Sequence, residues 1–322
     1  MSSYQYVQKA LQVLGALTAV SAVSRVLSLT RLYFSPGGSS LKRWKHGKEP
    51  YALVTGGTDG IGLGFVEAIA AQGFNVIILS RTKGKLESRR SALQKQFPNL
   101  KFEILVFDAL KDPYEGIEKL VASVSHLNIT VLVNNMGGIP FIPGYRLLTE
   151  TSGPQIDTAI DLNARFLSHF TRFMIPVMTK SYPALIANVG SAAQVGIPWA
   201  AVYSGTKGFV LSFSEGLSRE FKCNDIPIDV LNITLADVSS QQTPTPVHIL
   251  NPSAKHFSRT AVGRLGAAVA SGRNTVTPYI PHALLLWALG PMPEFMKVII
   301  TNNMIRGAQE ILDKAHGGLK RD

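Results

Sequence analysis

Tyr203 and Lys207 stand four residues apart in a stretch, 202–221, whose apolar spacing predicts a helix. That spacing puts both side chains on one helix face. A phenol with the ordinary pKa of about 10 exchanges protons slowly at neutral pH. An ammonium group beside it stabilises the phenolate and lowers that pKa. A drop of roughly three units corresponds to ~4 kcal/mol. The pair therefore predicts proton transfer to or from a substrate oxygen. Ser191 precedes Tyr203 by twelve residues and follows the apolar run 184–189. A hydroxyl there can orient a carbonyl. Asn163 is a polar residue inside the amphipathic stretch 154–179. Each of these residues is commonplace alone, so their meaning depends on the elements that carry them.

Those elements alternate. The runs 51–55, 75–80, 102–107, 130–134, 184–189 and 229–233 are short, apolar and β-type. Helical patterns fill the gaps at 62–72, 85–96, 113–125, 154–179 and 202–221. Six strands with a helix in each gap predict an α/β fold, a Rossmann-like doubly wound parallel sheet. Strands that are apolar almost throughout fit a sheet covered on both faces.

The first strand runs into Thr55-Gly-Gly-Thr-Asp-Gly-Ile-Gly62. Gly56, Gly60 and Gly62 form a glycine-rich strand-to-helix turn. Glycine lets the backbone approach a pyrophosphate, and the helix N-terminus offers N–H groups and a favourable dipole. The second strand ends Leu79-Ser80-Arg81-Thr82-Lys83, without the acid that would hold an adenosine ribose. Arg81 can fork onto a 2′-phosphate, and Lys83 adds charge. NADPH is thus favoured over NADH as cofactor.

The 322 residues are 46% apolar and only 16% charged, which excludes a disordered chain. A mean hydropathy of +0.15 hints at membrane contact. The lone cysteine, Cys223, excludes a disulfide-stapled secreted fold and fits a reducing compartment. No Cys/His cluster has zinc spacing, so no metal site is expected. Of the net charge of +11, +6 falls in residues 1–50. The basic run Leu41-Lys-Arg-Trp-Lys-His-Gly-Lys48 follows an apolar segment, as expected of a stretch facing anionic headgroups. The folded part shows no basic stripe interleaved with aromatics, so nucleic acid is not an expected partner. Fifteen uncharged residues lie between Lys9 and Arg25, short of a full span unless the flanking apolar residues help. An uncleaved membrane anchor is favoured over a cleaved signal peptide. Ser35-Pro-Gly-Gly-Ser-Ser40 then reads as a turn-rich linker. Residues 274–293 are uncharged but hold four prolines, which argues for a monotopic membrane contact or a pocket surface over a clean span. The organisation expected is an anchor at 1–34, a basic linker at 35–50, one catalytic domain at 51–273 and an apolar C-terminal extension at 274–322.

Taken in order, Thr55-Gly-x-x-x-Gly-x-Gly62, Asn134-Asn-Met-Gly137, Asn163, Ser191 and Tyr203-x-x-x-Lys207 resemble the short-chain dehydrogenase/reductase family. Five motifs in order are far more specific than any one, and the match covers about 49–266. Arg31-Leu-Tyr-Phe-Ser-Pro-Gly-Gly, Thr58-Asp-Gly, Ser80-Arg-Thr-Lys83 and Thr277-Pro-Tyr279 resemble one membrane-bound branch of it. That branch holds the very-long-chain 3-oxoacyl-CoA reductases of fatty acid elongation and their 17β-hydroxysteroid dehydrogenase relatives.

The resemblance implies Tyr203 as the general acid and Lys207 as its partner, also holding the nicotinamide ribose. It implies Ser191 on the carbonyl oxygen and Asn163 supporting a water chain through Lys207. Thr58, Asp59 and Ile61, with Gly56, Gly60 and Gly62, would surround the pyrophosphate. Asp108 resembles the adenine contact, while Asn135 and Gly137 would line the cofactor floor, Asn135 also bracing the sheet. Val238 and Ser240 fall where the family's backbone meets the nicotinamide carboxamide. Here the chain departs from the family: Thr234-Leu-Ala-Asp-Val-Ser-Ser-Gln241 replaces the usual Pro-Gly stretch, and Asp237 is unusual there. The implied activity is NADPH-dependent reduction of a 3-oxoacyl-CoA, on the endoplasmic reticulum membrane with the catalytic domain facing the cytosol. Other elongation enzymes are the implied partners. A ketosteroid or another hydrophobic ketone is an alternative substrate. A weakly catalytic NADPH-binding scaffold subunit is a third reading. The C-terminal Lys320-Arg-Asp322 is at best a partial dilysine-type signal.

Overall fold

The computed structural model describes residues 3–34, 41–141, 144–241 and 243–315. The linker at 35–40 and the C-terminal Lys320-Arg-Asp322 lie outside the described residues. The chain opens with helix α1 (Ser3–Phe34) and reaches strand β1 (Tyr51–Thr55) through a short 3₁₀ turn at Lys42–Trp44. Four strands and three helices then alternate: β1, α2 (Gly60–Ala70), β2 (Asn75–Ser80), α3 (Lys83–Gln96), β3 (Phe102–Val106), α4 (Glu115–Val124) and β4 (Ile129–Asn134). The second half runs α5 (Gly153–Ile160), α6 (Phe166–Met178), β5 (Ala184–Val189), α7 (Ala201–Cys223) and β6 (Ile228–Ile233). It closes with α8 (Ala254–Val262), α9 (Leu265–Ala270), β7 (Thr275–Val276), α10 (Ile280–Leu289) and α11 (Glu294–Ala315).

The strands form one seven-stranded parallel sheet in the order β3-β2-β1-β4-β5-β6-β7. Chain order reverses between β1 and β4, and the crevice above that point is where open α/β sheets bind ligands. Strands β1, β2, β4 and β5 are buried at every position, because helices cover both faces. One apolar layer packs α2, α8 and α9 on the sheet around Phe65, Ile69 and Phe257. The other packs α4 and α6 around Ile117, Phe166 and Phe170.

Three expectations need correction. The sheet has a seventh strand, β7, which lies beyond the boundary drawn at 273. Two residues are too short for any pattern, and only pairing with Asn232 and Ile233 makes them a strand. The stretch 154–179 is not one regular helix. A π-turn at Asp161–Arg165 widens it between α5 and α6. Finally, the basic run is no free linker from Leu41 onward. Leu41 and Trp44 are fully buried in the first apolar layer. The Trp44 indole donates to Asp229 Oδ2 at 3.0 Å, and Arg43 pairs with the same oxygen at 3.1 Å. His46 meets the Pro183 carbonyl at 2.9 Å. A tryptophan next to cations has more to gain from a core than from water, so the apolar side chains turn in while Lys42, Lys45 and Lys48 stay exposed.

Helix α1 is long and apolar enough to cross a membrane by length and composition, and almost all of it is exposed. Its last turn is joined to the sheet domain: Leu32 is buried in the core and the Tyr33 hydroxyl donates to the Thr277 carbonyl at 2.8 Å. Arg273 Nε donates to Ser28 Oγ at 3.0 Å.

Trp44 is thus a peg that holds the chain after α1 against the edge of the sheet. Trp44→Ala removes a large buried side chain and is expected to cost about 3–5 kcal/mol. Trp44→Phe keeps most of the packing and loses the indole bond, so about 1 kcal/mol is expected. Thermal unfolding of the detergent-solubilised protein checks the ranking.

Candidate active site

The ends of β1 and β4 are clasped together. Thr55 Oγ1 accepts from the backbone N–H groups of Asn135 and Met136, both at 3.0 Å. Asn135 Nδ2 returns to the carbonyls of Thr55 and Gly56 at 3.1 and 3.3 Å. The glycine turn sits on this clasp. Gly60 adopts φ +51°, the left-handed region. A Cβ on Gly62 would overlap the Gly56 carbonyl oxygen, so only glycine lets α2 start this close to the strand. Asp59 is the N-cap of α2, yet its side chain does not cap the helix. It pairs instead with Lys85 and with Arg89, the latter at 3.2 Å. The carboxylate expected at the pyrophosphate is therefore committed to α3, and the first-turn N–H groups of α2 are left without that cap. An anion fits there, which suits a pyrophosphate.

At the end of β2, Thr58 and Ser80 face each other at 3.2 Å, and Arg89 Nε donates to the Thr58 carbonyl at 2.9 Å. Arg81 is exposed beside this turn, as is Lys83, which lies 4.0 Å from Glu87. Arg89 is a brace that the sequence reading missed. Asp108, after β3, accepts from the Leu110 N–H at 3.0 Å and so fixes its own turn.

The four residues expected to do chemistry converge over β4 and β5. Asn163 lies on the π-turn. Its Oδ1 accepts from Gly138 N at 2.8 Å, and its Nδ2 donates to Gly138 O at 2.8 Å and to Ala159 O at 2.9 Å. Those bonds fasten the widened turn to the strand-end loop that carries Gly137. Lys207 is buried and its Nζ donates to the Val189 carbonyl, the last of β5, at 3.0 Å. It lies 5.7 Å from the centre of the Tyr203 ring. The Ser191 hydroxyl lies near enough to Tyr203 to lower its pKa, and Ser191 Oγ accepts from Ala193 N at 3.1 Å. Ile197 N donates to Ser204 Oγ at 3.1 Å, which ties the loop after β5 to the first turn of α7.

The electrostatics differ from the sequence expectation at Tyr203. Its pKa is raised, not lowered. Burial of the phenol dominates; the Ser191 hydrogen bond opposes it and the Asp237 carboxylate adds to it. Lys207 suffers the same loss of water, and its pKa falls to about 8.

The family model for short chain dehydrogenases matches residues 50–245. The chain belongs to the short-chain dehydrogenase family. The very-long-chain 3-oxoacyl-CoA reductase of Pyricularia oryzae is 31% identical over 88% of this chain and 85% of its own length. The reductase of the same name from Mycosarcoma maydis is 32% identical over 98% and 93%. Among solved structures, a short-chain dehydrogenase from Sphingobium yanoikuyae in complex with NADPH superposes with a TM-score of 0.62. It is 21% identical, and the match covers 75% of this chain and 92% of that one.

This short-chain dehydrogenase has a pocket against Tyr203, lined chiefly by Ile139, Phe141, Leu148, Trp199, Val202 and the Arg146 side chain. Arg146 lies over the Phe141 ring at 5.3 Å. The segment 234–241 lies beside the glycine turn and near Tyr203. Ser240 lies against the glycine turn, where a Cβ on Gly60 would come 3.3 Å from Ser240 Cβ. Ser240 Oγ meets Thr243 Oγ1 at 3.0 Å, and Val238 is buried with its carbonyl bonded by Thr243. Asp237 acts electrostatically on both Tyr203 and Tyr145 and raises the pKa of each. The sequence reading flagged Asp237 but missed Tyr145 and Trp199, which stand in loops without pattern.

Lys207 makes stability depend on pH in a fixed direction. Its folded pKa lies below its unfolded value of 10.5. Between pH 8 and 10.5 the unfolded chain holds a proton that the folded chain has released, so this group's contribution becomes more favourable as pH rises. The stability of wild type relative to Lys207→Met is expected to grow by roughly 2–4 kcal/mol between pH 7.5 and 10.5. Chemical unfolding of both proteins across that range checks it.

Proposed function

We propose that this chain reduces 3-oxoacyl-CoA to 3-hydroxyacyl-CoA with NADPH, in very-long-chain fatty acid elongation. The observation that carries the reading is the assembly of Ser191, Tyr203, Lys207 and Asn163 beside an apolar pocket. The names of the P. oryzae and M. maydis relatives support the same substrate.

In this reading the substrate carbonyl lies against Ser191 and Tyr203. Ser191 holds its oxygen by a hydrogen bond. Tyr203 delivers the proton to that oxygen. The phenol holds its proton at neutral pH, as a donor must, and because burial raises its pKa the phenolate left after transfer needs stabilising. Lys207 stabilises that phenolate and anchors the ribose, and Asn163 positions the route by which the proton is resupplied. NADPH, when bound, supplies the hydride. Gly56, Thr58, Gly60, Ile61 and Gly62 would hold its pyrophosphate, Asn135 and Gly137 would line the cofactor floor, and Val238 and Ser240 would meet the nicotinamide carboxamide. Asp59 serves indirectly, by drawing Lys85 and Arg89 to the turn. Arg81 and Lys83 would meet the 2′-phosphate, and Asp108 the adenine. Helix α1 anchors the protein in the endoplasmic reticulum membrane, with the sheet domain in the cytosol, where it would meet other elongation enzymes.

NADPH oxidation by the detergent-solubilised protein, with 3-oxoacyl-CoAs of several lengths and a ketosteroid, tests the reading. Turnover on the acyl-CoAs is expected, and Tyr203→Phe should lower kcat by at least ~10³-fold. Arg81→Glu should raise KM for NADPH by about tenfold or more and leave that for NADH almost unchanged. Turnover on the steroid alone would replace the substrate. NADPH binding without turnover on any ketone would favour the scaffold reading.

A further inference from the structure

Helix α11 places Phe295, Val298, Ile299, Asn302, Arg306 and Gln309 at three- and four-residue spacing, so they share one face. The second half of that stripe is docked. Asn302 Oδ1 accepts from the Trp199 indole N–H at 3.1 Å. The Arg306 guanidinium lies 5.9 Å from the Trp199 ring centre. Gln309 Nε2 donates to the Tyr145 carbonyl at 2.7 Å. Ile305, at the edge of the stripe, is buried. The first half of the stripe is apolar and uncovered: Phe295, Val298 and Ile299 are 66%, 53% and 55% exposed.

Trp199 joins this stripe to the pocket. It lines the pocket together with Tyr203. Its φ is +66°, a left-handed conformation that a bulky residue keeps only when it is held. The holders are Asn302 at the indole and the Arg146 N–H, which donates to the Trp199 carbonyl at 2.8 Å. Ala200, the next residue, is the N-cap of α7, the helix that carries Tyr203. One indole is therefore pinned by α11, walls the pocket and adjoins the helix of the proton donor.

We propose that the uncovered half of the stripe is the binding surface for the distal acyl chain of the substrate, and that Trp199, fixed by Asn302, turns the chain from the pocket onto α11. The proposal rests on the reductase reading. The occupant is the acyl chain because Trp199, which lines the pocket, is bonded to Asn302 within the stripe. A very long chain must leave the space around Tyr203, and past Trp199 it meets Ile299, Val298 and Phe295 in turn. Asn302 is then a positioning residue that acts through Trp199.

The full-length protein in detergent is assayed with 3-oxoacyl-CoAs of increasing length, as wild type, Val298→Ser/Ile299→Ser and Asn302→Leu. In the double variant, long chains should lose kcat/KM, chiefly through KM, by about fourfold per methylene that leaves the surface. Chains too short to reach the stripe should keep their kcat/KM. Asn302→Leu should flatten the chain-length profile while Kd for NADPH stays as in wild type. A loss by one factor at every length, or no loss at any, overturns the proposal. So does release of the double variant from membranes with an unaltered profile, which would give the stripe to the bilayer. A long-chain acyl-CoA with a diazirine at the chain end gives a readout independent of turnover. Crosslinks at 295–299 in the wild type are expected; crosslinks confined to other residues overturn the proposal. Failure of the wild type to reduce any 3-oxoacyl-CoA, with those crosslinks present, would instead overturn the reductase reading.

Discussion

A lysine ammonium buried against the end of β5 is the constraint that organises this site. Lys207 must find partners where water cannot supply them. The Val189 carbonyl is one, and accepting it fixes α7 against the strand. That docking sets Tyr203 one helical turn before the lysine, within hydrogen-bonding reach of Ser191. The same crevice requires the loop after β4 to stay open, and the π-turn answers that need. By widening the helix between α5 and α6, it brings the Asn163 amide onto both backbone groups of Gly138. A regular helix would carry Asn163 in a different direction.

Beneath the site a row of polar groups adds to the apolar layers that hold the sheet. Parallel register aligns Asn134 with Asn188, and Asn188 with Asn232, in one row across β4, β5 and β6. Asn134 Nδ2 donates to Asn188 Oδ1 at 2.8 Å and to Thr171 on α6 at 2.9 Å. Asn188 Nδ2 donates to Ser214 on α7 at 2.9 Å. The row therefore links the helix that continues the π-turn to the helix of Tyr203 and Lys207. Buried polar networks specify geometry strictly, because a slip in register strands their members unpaired. An apolar row would pack as well and would tolerate the slip.

The sheet, the glycine turn and the Tyr203–Lys207 pair were legible because they are written in local pattern, whereas Ser191 and Asn163 stood out only through their place in the family's ordered motifs. Apolar runs of strand length, glycines at a strand end and a Tyr–Lys pair at helical spacing each carry a near-neighbour signal. What escaped depends on distance. Strand β7 exists only through its pairing with β6. Trp44 reads as part of a basic run until the fold supplies Asp229, 185 residues on. The π-turn leaves no periodic trace in 154–179. The pKa of Tyr203 was misjudged in sign because helical spacing shows the lysine but not the burial of both groups. Trp199 and Tyr145 were invisible for a related reason. Loops take their meaning from what they touch, and here that is a helix about a hundred residues or more away in the chain.

Burial moves the two groups in opposite directions: it raises the phenol of Tyr203 and lowers the ammonium of Lys207. Tyr203 holds its proton until a partner oxygen gains charge, since burial penalises the phenolate more than the phenol. Lys207 gives up its proton more readily than an exposed lysine, with a pKa of about 8. Both shifts have one cause, the loss of water around these two side chains, which disfavours the charged form of each. Asp237 adds to the shift of Tyr203, because its carboxylate raises the phenol further. The departure at 234–241 thus acts in the same sense as the burial around it.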